Sequence, residues 1–123
     1  MIIGTGIDIV QVNRFSSWVN NEKLLSRFFH EEEVQYILGQ KTNQAETIAA
    51  RFAAKEALGK ALGTGLRGFA LKDIWVRRDE KGKPYIEVFP ALLEITKSYN
   101  CVKIHLSISH EKEYACAIVI LEN

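Results

Sequence analysis

The longest helical pattern in this chain, from about Asn43 to Leu62, sets the terms on which everything else can pack. Ala53, Ala57 and Ala61 recur at i, i+4 spacing and form a small-residue stripe on one face, which lets a helix lie close against a sheet. Asn43 followed by Glu46 has the form of a capping box at its start, and Gly63 supplies the stop at its end. Around this helix the strand signals are short. Met1 to Val12 is rich in Ile and Val and reads as a strand that looks buried. Asp73 to Arg78 and Tyr85 to Val88 flank the turn chemistry of Asp79–Pro84 and read as a hairpin. Lys103 to Ser109 and Tyr114 to Leu121 read as a final hairpin. Shorter helices are expected over Arg14 to Phe28, with Phe15, Trp18, Val19 and Leu25 inward, over Glu31 to Leu38, and over Pro90 to Ser98. Three acids occupy the first turn of the second of these, as the helix dipole prefers, and proline opens the last. Strands and helices do not alternate regularly. The expected class is therefore α+β, an antiparallel sheet packed against the long helix and the shorter ones.

With 123 residues the chain is expected to form one domain over 1–123. Oligomerisation would help so small a core hide its leftover apolar surface. Sixteen basic and 15 acidic residues leave a formal charge of +1. That balance gives no whole-molecule attraction for nucleic acid or an anionic membrane, so an acidic partner would have to meet a local patch. Cys101 and Cys116 have no CxxC or other metal-ligand spacing. No signal-peptide pattern opens the chain, and no run approaches the ~20 apolar residues that span a bilayer. The cytoplasm is the expected location.

Three places carry polar chemistry. Asp8 interrupts the apolar strand Ile7-Asp8-Ile9-Val10. A lone carboxylate there needs a cationic partner or a metal ion, and both readings are open. Alternation puts Gly4, Gly6, Asp8 and Val10 on one face, with the glycines expected to leave open space beside the carboxylate. On the long helix, Phe52, Glu56 and Lys60 share one face and Arg51 and Lys55 form another i, i+4 pair. A surface Glu56–Lys60 ion pair is one account of that spacing. Gly63-Thr-Gly-Leu-Arg-Gly68 spells GxGxxG, but a helix precedes it and a strand follows, the reverse of a dinucleotide fingerprint. The loop still offers backbone N–H groups and Arg67 to a phosphate. The third place is Ser107-Ile-Ser-His110, where His110 stands at a strand end. It lacks a nucleophile elbow, so a hydrolase triad is not expected. His30 and His105 receive no role.

Together these blocks resemble a family. Gly4-Thr-Gly-Ile-Asp-Ile-Val10, Arg51-Phe-Ala-Ala-Lys-Glu-Ala57 with Lys60-Ala-Leu-Gly-Thr-Gly65, Gly82-Lys-Pro84 and Ser107-Ile-Ser-His110 look like those of the holo-acyl-carrier-protein synthases, small members of the 4'-phosphopantetheinyl transferase superfamily. Their order and separation match along essentially the whole chain. The resemblance implies that fold and a magnesium-dependent transfer of phosphopantetheine from coenzyme A to a serine of acyl carrier protein, in support of fatty acid biosynthesis. It implies Asp8 and Glu56 as magnesium ligands, a role that suits hard carboxylate oxygens beside substrate phosphates. It implies Lys60 as a catalytic charge-balancing group at the phosphates, and Glu56, or a water held by the Asp8–Glu56 site, as the base. Arg51, Lys60, Gly63, Gly65, Pro84, Ser109 and His110 would contact coenzyme A. Arg14 would contact the carrier protein, joined by Lys23 and Arg27 in a basic patch facing an acidic partner. A homotrimer with sites between subunits is implied as well. Gln11 and Gly59 depart from the family's frequent glutamate and serine. Two other classes remain in view: a metal-dependent hydrolase of nucleotide pyrophosphates, and a noncatalytic nucleotide-binding module.

Overall fold

The structure, a computed structural model, describes residues 1–65, 67 and 69–123. Leu66 and Gly68, the last glycine of the GxGxxG spelling, lie outside the described residues. Strand β1 (Ile2–Gln11) leads into a 3-10 helix (Val12–Trp18), then α1 (Glu22–Phe28), α2 (Glu31–Leu38) and α3 (Gln44–Leu62). A 3-10 turn (Leu71–Asp73) precedes β2 (Ile74–Arg78) and β3 (Pro84–Val88), followed by α4 (Pro90–Ser98), β4 (Lys103–His110) and β5 (Tyr114–Glu122). The strands form an antiparallel three-stranded sheet in the order β1-β5-β4 and a separate hairpin of β2 with β3. The α+β expectation holds.

The alanine stripe does what its spacing implies. A Cβ at Gly4 would run into the carbonyl oxygen of Ala61, and one at Gly6 into that of Ala57. The two glycines therefore admit the backbone of α3 rather than leaving open space beside Asp8, which corrects that expectation. Ala53, Ala57, Leu58, Val119 and Leu121 are buried along this contact, and Phe15, Leu25, Phe29, Ile37 and Ile48 extend the core on the other flank of α3.

The helix expected over Arg14–Phe28 is broken. Val19 is extended and Asn20 takes a left-handed φ of 58°. That kink is held by Gln44, whose Oε1 accepts the Asn20 N–H at 2.6 Å and whose Nε2 donates to Asn20 Oδ1 at 3.0 Å. Asn21 then caps α1 by accepting the Leu24 N–H at 3.1 Å. The capping box expected at Asn43 does not form, because Asn43 has a φ of 60° and its side chain accepts no cap bond. Gly63, at φ 76°, ends α3 as expected. β1 is buried on one face only, with Ile7 60% and Ile9 65% exposed on the other.

Candidate functional site

Helix α3 carries candidate residues to two separate places. At the first, β1 presents Asp8 to the end of α3. Lys60 Nζ lies 3.0 Å from Asp8 Oδ1 and donates a second 3.0 Å bond to the Ile7 carbonyl. The Glu56–Lys60 surface pair is thus replaced by a contact across to the strand. Asp8 Oδ2 is buried and, among the described residues, receives no hydrogen bond. A carboxylate oxygen left without a donor is costly, and a cation offsets that cost. Glu56 belongs to the same electrostatic cluster. Burial and then the charge of Asp8 hold its carboxyl above the usual range, while Lys60 and Arg14 pull it down. No group of three or more His, Cys, Asp or Glu side chains with metal-holding geometry occurs among the described residues. The donor set is two carboxylates, which fits magnesium, an ion that takes its remaining ligands from phosphates and water.

Arg14 borders this cluster from the 3-10 helix. Its guanidinium carbon lies 5.2 Å from the ring centre of Phe52 and 5.5 Å from that of Phe15. Arg14, Lys23 and Arg27 are all exposed.

The second place is built around Arg51, five residues before Glu56. At about 100° of rotation per residue the two side chains leave the helix roughly 140° apart. Arg51 is 5% exposed, its guanidinium lies over the Tyr36 ring at 4.4 Å, and its Nε has no hydrogen-bond partner among the described residues. With Arg78, Gly82, Pro84 and His110 it lines a cavity of about 210 Å³ between α3, the β2–β3 hairpin and the end of β4. Three of the expected coenzyme A contacts, Arg51, Pro84 and His110, therefore meet here. Ser109 does not join them. Alternation along β4 places it with His105 and Ser107 on the outer face of the sheet, opposite Cys116. Gly63 and Gly65 follow α3 with φ of 76° and 63°, a conformation that glycine adopts without steric cost. A larger cavity, about 590 Å³ and lined by Phe29, His30, Lys72 and Phe89 among others, includes none of the candidate residues.

One buried constellation escaped the reading of the sequence. Lys55 Nζ lies 2.6 Å from Glu33 Oε1 and also donates to the carbonyls of Phe28 at 3.2 Å and Leu71 at 3.0 Å. Glu33 accepts N–H bonds from His30 and, at 3.3 Å, from Val76. Burial lowers the Lys55 pKa to about 8 against the pull of Glu33. A signal was present: Lys55 sits at helical spacing from the buried Ile48, Leu58 and Leu62, and Glu33 one turn before Ile37, so each charge lies on an apolar face.

The sequence pattern of the 4'-phosphopantetheinyl transferase superfamily matches residues 4–119. A Treponema denticola protein named holo-[acyl-carrier-protein] synthase is 52% identical, with 99% of each chain covered. Among solved structures, the holo-[acyl-carrier-protein] synthase of Neisseria meningitidis superposes with a TM-score of 0.90 at 32% identity, covering 100% of both chains. The Bacillus anthracis enzyme, solved in complex with CoA (3',5'-ADP), superposes with a TM-score of 0.81 at 40% identity, covering 98% of this chain and 96% of that one.

Proposed function

Because the chain belongs to the 4'-phosphopantetheinyl transferase superfamily, we propose that it transfers 4'-phosphopantetheine from coenzyme A to a serine of apo acyl carrier protein, working as one domain over 1–123 and serving fatty acid biosynthesis in the cytoplasm. The observation that carries this reading is the buried Oδ2 of Asp8, without a donor among the described residues, beside Glu56 and Lys60. Asp8 and Glu56 would hold magnesium, which supplies positive charge to the pyrophosphate of coenzyme A. The serine hydroxyl oxygen bonds to the β-phosphorus as the bond from that phosphorus to the bridging oxygen breaks, and adenosine 3',5'-bisphosphate leaves. The Lys60 ammonium balances the charge that grows on the leaving oxygen. Glu56, or a water held at the Asp8–Glu56 site, takes the proton of the attacking serine.

Coenzyme A is held by Arg51, Pro84 and His110, with Lys60, Gly63, Gly65 and Ser109 completing the cleft. Arg51, Pro84 and His110 line one cavity and the other four residues do not, which supports a complete site made between copies in a homotrimer. The exposed Ile7, Ile9 and Ile118 on the outer face of the sheet support that assembly, since such a face is apolar enough to be covered. Ser109 shares that face and meets coenzyme A at the boundary between copies. Arg14, Lys23 and Arg27 give the carrier protein, an acidic partner, its docking patch.

The test is the intact mass of an apo acyl carrier protein after incubation with this chain, coenzyme A and magnesium, with a chelator control. A gain equal to phosphopantetheine, lost with the chelator, is the expected result. Hydrolysis of coenzyme A without any gain in carrier mass would identify a pyrophosphate hydrolase instead.

A further inference from the structure

Arg51 and Lys55 leave α3 one turn apart on the same face, and one carboxylate serves both. The Glu33 side chain is fully buried, with Oε1 2.6 Å from Lys55 Nζ and Oε2 3.9 Å from Arg51 Nε. Glu33 is itself pinned from two further directions. Its Oε1 accepts the His30 N–H at 3.0 Å where α2 begins, and its Oε2 accepts the Val76 N–H at 3.3 Å on β2. Val76 and Arg78 of that strand line the 210 Å³ cavity together with Arg51, whereas Glu33 is no part of the lining. The Arg51 guanidinium also rests on the Tyr36 ring at 4.4 Å, and that of Arg78 lies 5.6 Å from the same ring centre. Burial works against the charge of Arg51, and Glu33 is the strongest influence that restores it. The charges do not balance. Lys55, with a pKa of about 8, keeps its proton at neutral pH, so Glu33 meets two cations and Arg78 adds a third at the cavity wall. A buried surplus of positive charge is costly until an anion meets it.

We infer that Glu33 is a positioning residue for coenzyme A: from outside the cavity it holds the Arg51 guanidinium and the Val76 backbone in place, so that the cationic wall is set before a phosphate of the ligand arrives. This rests on the reading that Arg51 contacts coenzyme A. Glu33 acts only through the wall it holds. An arginine side chain has much rotamer freedom to lose on binding, and one already fixed by a buried carboxylate spares the ligand that cost. Lys55 keeps Glu33 charged and in place, which leaves Arg51 with charge to spare for the phosphate.

The experiment is a double-mutant cycle on the Kd for coenzyme A, measured by calorimetry with the unmodified chain, Glu33→Gln, Arg51→Ala and the double variant. Glu33→Gln is expected to weaken binding about fivefold or more in the unmodified background, and less than about twofold further once Arg51 is gone. Effects that simply multiply would overturn the inference. Ile37→Ala is the structural control, a core truncation in the same helix that lines no part of the cavity. It should lower the melting temperature and leave the Kd within about twofold; an equal loss of affinity would mean that loosening α2 is enough, and Glu33 would have no special role. NMR relaxation of the Arg51 Nε–H in the unmodified chain without ligand keeps the test independent of whether the variants fold. An order parameter near that of rigid backbone, about 0.85, is expected, and one below about 0.6 would sink the inference. If the unmodified chain binds coenzyme A but transfers nothing, the proposed function fails while the cycle still decides the role of Glu33. If Arg51→Ala binds as the unmodified chain does, the reading of Arg51 fails and the inference with it. If Arg51→Ala weakens binding and Glu33→Gln does not, only the role of Glu33 fails.

Discussion

At the scale of single residues, the two carboxylates of the first cluster work against the fold that holds them. Asp8 keeps one oxygen without a donor among the described residues, and burial holds the Glu56 carboxyl above its usual range. Asp8→Ala and Glu56→Ala are each expected to lower phosphopantetheine transfer by at least about 100-fold. Stability to urea should stay within about 1 kcal/mol for Asp8→Asn, which keeps a hydrogen-bonding group opposite Lys60. Mass analysis of the carrier protein and urea melts of the same preparations check both halves; a near-normal rate in the alanine variants would remove the metal assignment. Asp8 was legible from the chain because a carboxylate inside an Ile/Val strand is locally anomalous. Its partner was not. Lys60 matched Glu56 in helical spacing, and only the approach of β1 to α3 turns it toward the strand.

At the scale of elements, two contacts fix how α3 sits. One is the glycine seam with β1, and the other is the Lys55–Glu33 pair that ties α3 to α2, to the end of α1 and to Leu71. Gly6→Ala is expected to destabilise the chain by about 1–3 kcal/mol, since the added methyl meets backbone that cannot rotate away. Lys55→Met leaves Glu33 without its closest cation and is expected to cost about 3–5 kcal/mol near neutral pH, read from urea melts. The pair also gives stability a sign with pH. The Lys55 pKa is about 8 in the folded chain against an ordinary 10.5. Between those values the unfolded chain binds the proton that the folded chain has released, so this group makes stability rise with pH across that window. A flat profile there, or one that Lys55→Met leaves unaltered, would contradict it. The seam was readable from the alanine spacing, and the hairpins from their turn residues. The break after Trp18 was not, because it depends on Gln44, 24 residues beyond Asn20, reaching back to hold a left-handed backbone. Long-range side-chain bonds of this kind leave no periodic trace.

At the scale of the whole molecule, the division of candidate residues along α3 makes a prediction about the proposed assembly. Asp8, Glu56 and Lys60 stand beside β1, whereas Arg51 opens toward Pro84 and His110 about 140° around the helix. If coenzyme A spans both, one copy supplies the carboxylates and its neighbour supplies the Arg51 pocket. In the proposed trimer the copies would meet at the apolar outer face of the sheet, so Ile7→Glu is expected to convert the assembly to monomers and abolish transfer together, as read by light scattering and the carrier mass assay. A sharper test mixes two inactive chains. Asp8→Ala lacks the metal end and Arg51→Ala lacks the coenzyme A end. In a ring of subunits each site takes Asp8 from one chain and Arg51 from the next, so a site is whole only when an Arg51→Ala chain is followed by an Asp8→Ala chain. Random equimolar assembly meets that condition at about a quarter of sites. Refolding the two variants together should therefore restore about a quarter of the unmodified activity, while each variant refolded alone stays inactive. No recovery from mixed assemblies would mean that both ends of the site belong to one chain.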